Sequence, residues 1–230
     1  MAEHSPATIP EPGAASGPGR GELIADGIVH ALGLAAGAAG AGVLLTLAAM
    51  RADAPEFLAL LVYACGLLAM LACSAAYNLA RTSPRRELLR RFDHAAIFAM
   101  IAGTYTPFTV LRLEGGWAAG LTAAVWTIAA LGIALKLFRP RLIERASIPL
   151  YLALGWIIVV AIEPLLGALD PTTLILLAAG GLLYTAGVVF HVWERLPFQN
   201  AAWHGFVLAA AATHYVAILT GVLLAADARA

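Results

Sequence analysis

Seven apolar runs fall at about 28–49, 56–80, 95–111, 117–138, 148–168, 172–193 and 202–226, separated by short polar punctuation. Most reach the ~20 residues a helix needs to cross ~30 Å of hydrocarbon. In lipid every backbone polar group must be satisfied internally, which for runs of this length leaves helices. The composition agrees, at 61% hydrophobic and 12% charged. A soluble globular chain is nearer 45–50% apolar and roughly 25% charged. The expected fold is therefore an all-α integral membrane protein, a seven-transmembrane-helix bundle over residues 22–230. Residues 1–21, with four prolines and four glycines, read as a disordered tail without the basic start or apolar core of a cleavable signal.

Basic residues orient the spans. Arg20, Arg81, Arg85, Arg86, Arg90, Arg91, Lys136, Arg139, Arg141, Arg145 and Arg195 share one side, whereas Arg51, Arg112 and Arg229 lie on the other. The positive-inside rule then puts the N-terminus in the cytoplasm and the C-terminus outside. A bacterial inner membrane fits this pattern. A formal net charge of zero leaves no basic footprint for nucleic acid, so membrane lipid is the expected partner. Cys65 and Cys73 share one apolar run and cannot bridge along a single helix.

Two runs are interrupted in an informative way. The third is short, and its missing length is Asp93 and His94 at its start. An ionisable group at that depth is costly and marks a functional site by default, although an aspartate there can also serve as a helix cap. The fifth carries Glu163-Pro164, which predicts a bent or unwound last turn. Thr104, Tyr105 and Thr106 precede Pro107 and offer hydroxyls for the carbonyl that this proline frees. Gly33-xxx-Gly37 and Ala36-xxx-Gly40 on the first span would let helix backbones approach closely.

With this orientation, polar residues of three spans meet at one level. Ser74 and Asn78 lie in the cytoplasmic half of the second span, Asp93 opens the third, and Asn200 and His204 begin the seventh. Each pair is spaced i, i+4 and so occupies one helix face. Facing helices that converge in this way build sites inside bundles. His30, His94 and His191 also sit at cytoplasmic ends, where a histidine is an ordinary interfacial residue. His214 lies ~15 Å deeper than His204 and out of phase with it, placed to bond a neighbouring helix.

Phe92-Asp-His-Ala-Ala-Ile-Phe98 with Ile101-Ala-Gly-Thr-Tyr-Thr-Pro-Phe108 resembles the third-span signature of the bacterial hemolysin III family, a branch of the progestin and adipoQ receptor superfamily. Glu22-Leu-Ile-Ala-Asp-Gly-Ile-Val-His30 resembles its entry to the first span, and Trp203-His-Gly-Phe-Val-Leu208 its seventh. The resemblance implies an intramembrane zinc site near the cytoplasmic side. Its serine falls on Ser74, its aspartate on Asp93 and its last histidine on His204. Its other two histidine positions hold Asn78 and Asn200. An amide nitrogen does not coordinate, and an amide oxygen suits hard cations better than Zn²⁺. The zinc cavity is therefore read as degenerate, with His204 the one retained ligand and no cofactor expected at full occupancy. His191 and His94 are the candidates for compensation.

Three functions follow from this reading. The favoured one is a membrane-homeostasis or lipid-responsive role without catalysis. The second, implied by the superfamily, is a zinc-dependent intramembrane lipid amide hydrolase with Asp93 and Ser74 as catalytic residues. The third is the cytolysis in the family's name, for which the spans offer no polar stripe to line a channel. A retinal pigment is excluded, because the only lysine, Lys136, lies on the fourth span.

Overall fold

A computed structural model describes residues 19–225. It contains seven helices long and apolar enough to cross a membrane, and no strand among the described residues. They are α1 (Arg20–Arg51), α2 (Ala54–Leu79), α3 (Arg86–Leu111), α4 (Gly115–Phe138), α5 (Pro140–Ala168), α6 (Pro171–Val192) and α7 (Gln199–Leu224). Two boundaries differ from the sequence reading in ways that matter. α1 starts at Arg20, so residues 20 and 21 of the expected tail are helical, while residues 1–18 lie outside the described region. α3 starts at Arg86, which places Asp93 two turns inside the helix. Asp93 is not a cap.

Short connections are fixed by local chemistry. Asp53 caps α2 by accepting from Glu56 N, with Pro55 in the first turn. Asp170 caps α6 by accepting from Thr172 N and Thr173 N, with Pro171 at the first position. A side-chain bond from Thr173 is the main influence holding the Asp170 carboxyl below its ordinary range. Before α7, Phe198 takes a left-handed conformation (φ 58°), uncommon for a residue with a Cβ. Its N–H donates to Glu22 Oε1 at 2.9 Å, which fastens the α6–α7 turn to the start of α1.

Sequence neighbours pack against one another from α1 to α4, α6 pairs with α7, and α7 closes against α1. The centre of the bundle is α3, with 67% of its apolar window buried against 17% for α5 and α6. Its approach to α2 depends on two glycines. A Cβ on Gly66 would stand 3.0 Å from the Ala99 carbonyl, and one on Gly103 3.2 Å from that of Val62. Small residues at such contacts replace the hydrophobic drive that lipid removes.

α5 is not one continuous α-helix. It unwinds into a 3₁₀ segment at Ile157–Ala161 and resumes as Ile162–Ala168. The sequence reading placed the break at Glu163-Pro164, and the structure places it one turn earlier. Proline crowds the carbonyl four residues before it, here Val160, so the disturbance runs backwards along the chain. α3 compensates for the break. The Tyr105 hydroxyl donates to the Gly155 carbonyl at 2.7 Å and accepts from Ile158 N at 3.1 Å. Thr104 and Thr106 donate to Met100 O and Ala102 O, both at 2.8 Å, rather than to the Gly103 carbonyl freed by Pro107 as expected. Trp126 Nε1 then donates to Thr106 Oγ1, joining α4 to α3.

Two predictions follow from this architecture. Tyr105→Phe strands two backbone groups at the α5 break and should cost about 1–3 kcal/mol, read as a lowered denaturation midpoint in detergent. Reporter fusions after Arg86 and Arg141 should read as cytoplasmic and one after Ala225 as external. A cytoplasmic C-terminal signal would mean that α5, with its break, does not cross.

Candidate functional site

The ends of α1, α2, α3, α6 and α7 that carry most of the arginines enclose the main polar cluster. At its centre is Asp26, only 2% exposed. His204 Nδ1 on α7 donates to Asp26 Oδ1 at 2.7 Å. One turn along α1, His30 Nδ1 donates to the Asp26 backbone carbonyl at 2.8 Å and stands 3.6 Å from Asp26 Oδ1. Arg81, from the α2–α3 connection, lies 3.5 Å from the other oxygen, Oδ2. Carboxylates and carbonyls only accept, so the ring proton of each histidine sits on Nδ1. The two rings meet edge-on, with centroids 4.2 Å apart.

The far edge of His30 reaches α2, where its Nε2 is 3.3 Å from Ser74 Oγ. With the His30 proton on Nδ1, its Nε2 is the acceptor for the Ser74 hydroxyl. Asp93 on α3 lines the same cavity as Ser74. His30, Ser74, Asp93 and His204 all line one cavity of about 280 Å³. Its remaining wall is mostly apolar and includes Met70, Ile97, Ile101, Leu152 and Val207.

The residues singled out from sequence are thus partly brought together. Ser74, Asp93 and His204 share the cavity, whereas Asn78 and Asn200 are not in its wall. The Asn78 amide donates back along its own helix to the Ser74 carbonyl at 3.0 Å, with Ser74 Oγ at 3.4 Å. His94 lines the same cavity, with its ring engaged by a neighbour: the buried Lys136 ammonium donates to its Nδ1 at 3.2 Å, and Lys136 also pairs with Glu144. His191 lines the cavity with its ring against Trp203, centroids 5.0 Å apart. His214 bonds the Leu177 carbonyl of α6 at 3.2 Å, the neighbouring-helix role expected of it.

Sequence reasoning missed Asp26 and misread His30 as an interfacial residue. Asp26 and His30 are spaced i, i+4, like the two pairs that were noticed. Starting the first span at residue 28 hid the signal by leaving the aspartate outside it.

The family model described as haemolysin-III related matches residues 24–215. The chain belongs to this family. Hemolysin-3 of Bacillus cereus is 37% identical over 204 residues, covering 88% of this chain and 92% of that protein. The hemolysin-3 homolog of Bacillus subtilis (strain 168) is 32% identical over 198 residues, covering 86% and 93%. Human monocyte to macrophage differentiation factor is 30% identical over 168 residues, covering 68% and 67%. This haemolysin-III related chain is a multi-pass membrane protein.

In it, Asp26, His30 and His204 form a group whose ligand atoms lie within 4.8 Å of one another, close enough that it could hold a metal ion. Two imidazoles and a carboxylate are compatible with zinc. The reading of His204 as a lone retained ligand is therefore incomplete, because α1 supplies two more donors.

Asp26 holds two histidines and an arginine from three parts of the chain, so its loss should be felt throughout this end. Asp26→Ala should cost about 2–3 kcal/mol, the scale for hydrogen bonds to a charged group. Glu87→Ala, at a surface ion pair with Arg90 and Arg91, should cost under about 1 kcal/mol. Equal shifts in unfolding midpoint would remove Asp26 from its organising role.

Proposed function

We propose that this chain is a lipid-responsive protein of the bacterial inner membrane, with its N-terminus in the cytoplasm, that takes a membrane amphiphile into the cavity among its helices. The observation that carries this reading is the cavity's two-sided chemistry. Its apolar wall suits an alkyl chain, and its floor of Ser74, Asp93 and His204 suits a polar head. At about 280 Å³ it sits near the lower end of small-molecule pockets, which run from ~300 to 1,000 Å³.

A second polar feature supports the same reading. Tyr184 on α6 lines the cavity, and its buried hydroxyl has no hydrogen-bond partner. An unsatisfied buried hydroxyl costs about 1–3 kcal/mol, and an occupant or a water would relieve it. Tyr184 lies seven residues from His191 on α6, hence roughly 10 Å along the helix. An amphiphile with a second polar group behind its head, such as an ester, amide or hydroxyl, matches that spacing.

The test is photolabelling in lipid nanodiscs with an amphiphile carrying a diazirine on its alkyl chain. Label should appear on peptides containing Ile97, Ile101, Leu152 and Tyr184. Outward-facing Leu131 and Ile175 report bulk lipid. Ile101→Trp fills the cavity and should lower internal labelling about tenfold, the scale of a lost ~1.4 kcal/mol, with outward labelling unchanged. Label confined to outward positions in the unmodified chain would reject an internal lipid site.

A further inference from the structure

We propose that Asp26, His30 and His204 together hold one divalent transition-metal ion, a site carried mainly by α1 rather than by the positions the sequence resemblance implies. Two of those three positions, Asn78 and Asn200, do not fit. Asn78 is turned onto the Ser74 carbonyl, Asn200 is absent from the cavity wall, and amide nitrogens do not ligate.

The α1 set does fit, on three grounds. The first is donor type. Two imidazoles with one carboxylate are the protein ligands of the open, three-ligand class of zinc sites, in which a fourth position remains for water or ligand oxygen. The second is distance. Zn–N and Zn–O bonds of ~2.0–2.1 Å put tetrahedral ligand atoms about 3.4 Å apart. His204 Nδ1 and His30 Nδ1 stand 2.7 and 3.6 Å from Asp26 Oδ1, on either side of that value, and the three ligand atoms lie within 4.8 Å of one another. A metal entering here would replace the two Nδ1 protons, which leave on binding, and the rings would turn from their hydrogen bonds on Asp26 toward the ion.

The third ground is the surroundings. Asp26 divides its two oxygens: Oδ1 faces the histidines, while Oδ2 is held by Arg81. An outer hydrogen bond of this kind fixes a ligating carboxylate in orientation. On the other side Ser74, which contacts His30, and Asp93 line the same cavity, so a hydroxyl and a second carboxylate are available at this end of it. Cys73, the nearby thiol, is not among the clustered donors. A divalent ion here would polarise a carbonyl or acidify a bound water. The site lies at the floor of the cavity but does not require an amphiphile to form.

The experiment uses the full chain, purified in detergent, stripped with chelator and reloaded with Zn²⁺ alone. Elemental analysis after desalting should give one zinc per chain. X-ray absorption at the zinc edge should show an N/O shell at about 2.0–2.1 Å with imidazole back-scattering and no sulfur. His30→Ala, His204→Ala and Asp26→Asn should each weaken zinc binding by more than the roughly 10–100-fold that loss of an outer-shell partner costs. Asn78→Ala and Asn200→Ala should leave the affinity within about twofold, the ordinary scale of a substitution away from a site.

The absorption spectrum of the unmodified chain needs no variant, so it stands even if a substitution unfolds the bundle. Sub-stoichiometric zinc in the reloaded wild type would overturn the proposal, as would a sulfur shell. Full zinc in the His30→Ala/His204→Ala double variant would also overturn it, by placing the metal elsewhere. Because zinc content is read without lipid, a negative photolabelling result leaves this outcome unaffected.

Discussion

A single carboxylate buried between the first and last helices organises the arginine-rich end of this bundle. Asp26 receives His204 from α7, stands beside its own helical neighbour His30, and pairs with Arg81 from the α2–α3 connection. A buried charge without partners is untenable in lipid, so the fold must deliver these groups to it. The ring edge that His30 leaves free then engages Ser74 on α2. Three helices, α7, α1 and α2, are tied in sequence by one chain of polar contacts, and Asp93 of α3 lines the same cavity.

Away from that end, backbone irregularity is tolerated only where another helix answers it. The break in α5 survives because Tyr105 reaches across from α3 to serve both of its exposed backbone groups. The same logic explains why α3 is the most buried span. Its glycine contacts with α2, its tyrosine on α5 and its threonines beneath α4 all require close approach from several sides. Irregular backbone at membrane depth is permitted only where protein or a cavity covers it.

How much of this was legible in the sequence depends on the kind of signal. The seven spans could be read because hydropathy accumulates residue by residue along each run. Ser74, Asp93 and His204 could be read because a polar residue inside an apolar run stands out. Asp26 could not be read in this way, because α1 begins at Arg20, eight residues before its continuous apolar stretch, and His30, two residues into that stretch, passed for an interfacial residue. A polar first turn looks like a loop to a hydropathy scan. The occupation of His94 by Lys136 depends on packing between residues 42 apart, which spacing on one helix cannot show. Asn200 shares a face with His204 but lies in the first turn of α7, one turn nearer the helix start and outside the cavity wall. Where a cavity ends along a helix is a tertiary quantity. The break in α5 was foreseen from Pro164 but displaced by one turn, because proline acts on the carbonyl behind it.

The position of the metal-capable group has a consequence for assembly. α1 and α7 are the two ends of the chain's helical order, and their seam is the last to close in any sequential packing of the spans. Along that seam Leu208 of α7 fills the space left by Gly33, and the Tyr215 hydroxyl donates to the Gly40 carbonyl at 3.0 Å. The Asp26–His204 pair sits on the same seam. Neither helix alone carries the full set of donors, so the site exists only in the closed bundle. Binding to the closed form and not to the open one stabilises closure by mass action. An occupant of this site therefore acts on the whole ring of helices and not merely on the residues it touches. That coupling gives a polar cluster at one end of the membrane a physical route to influence how the bundle meets the lipid around it.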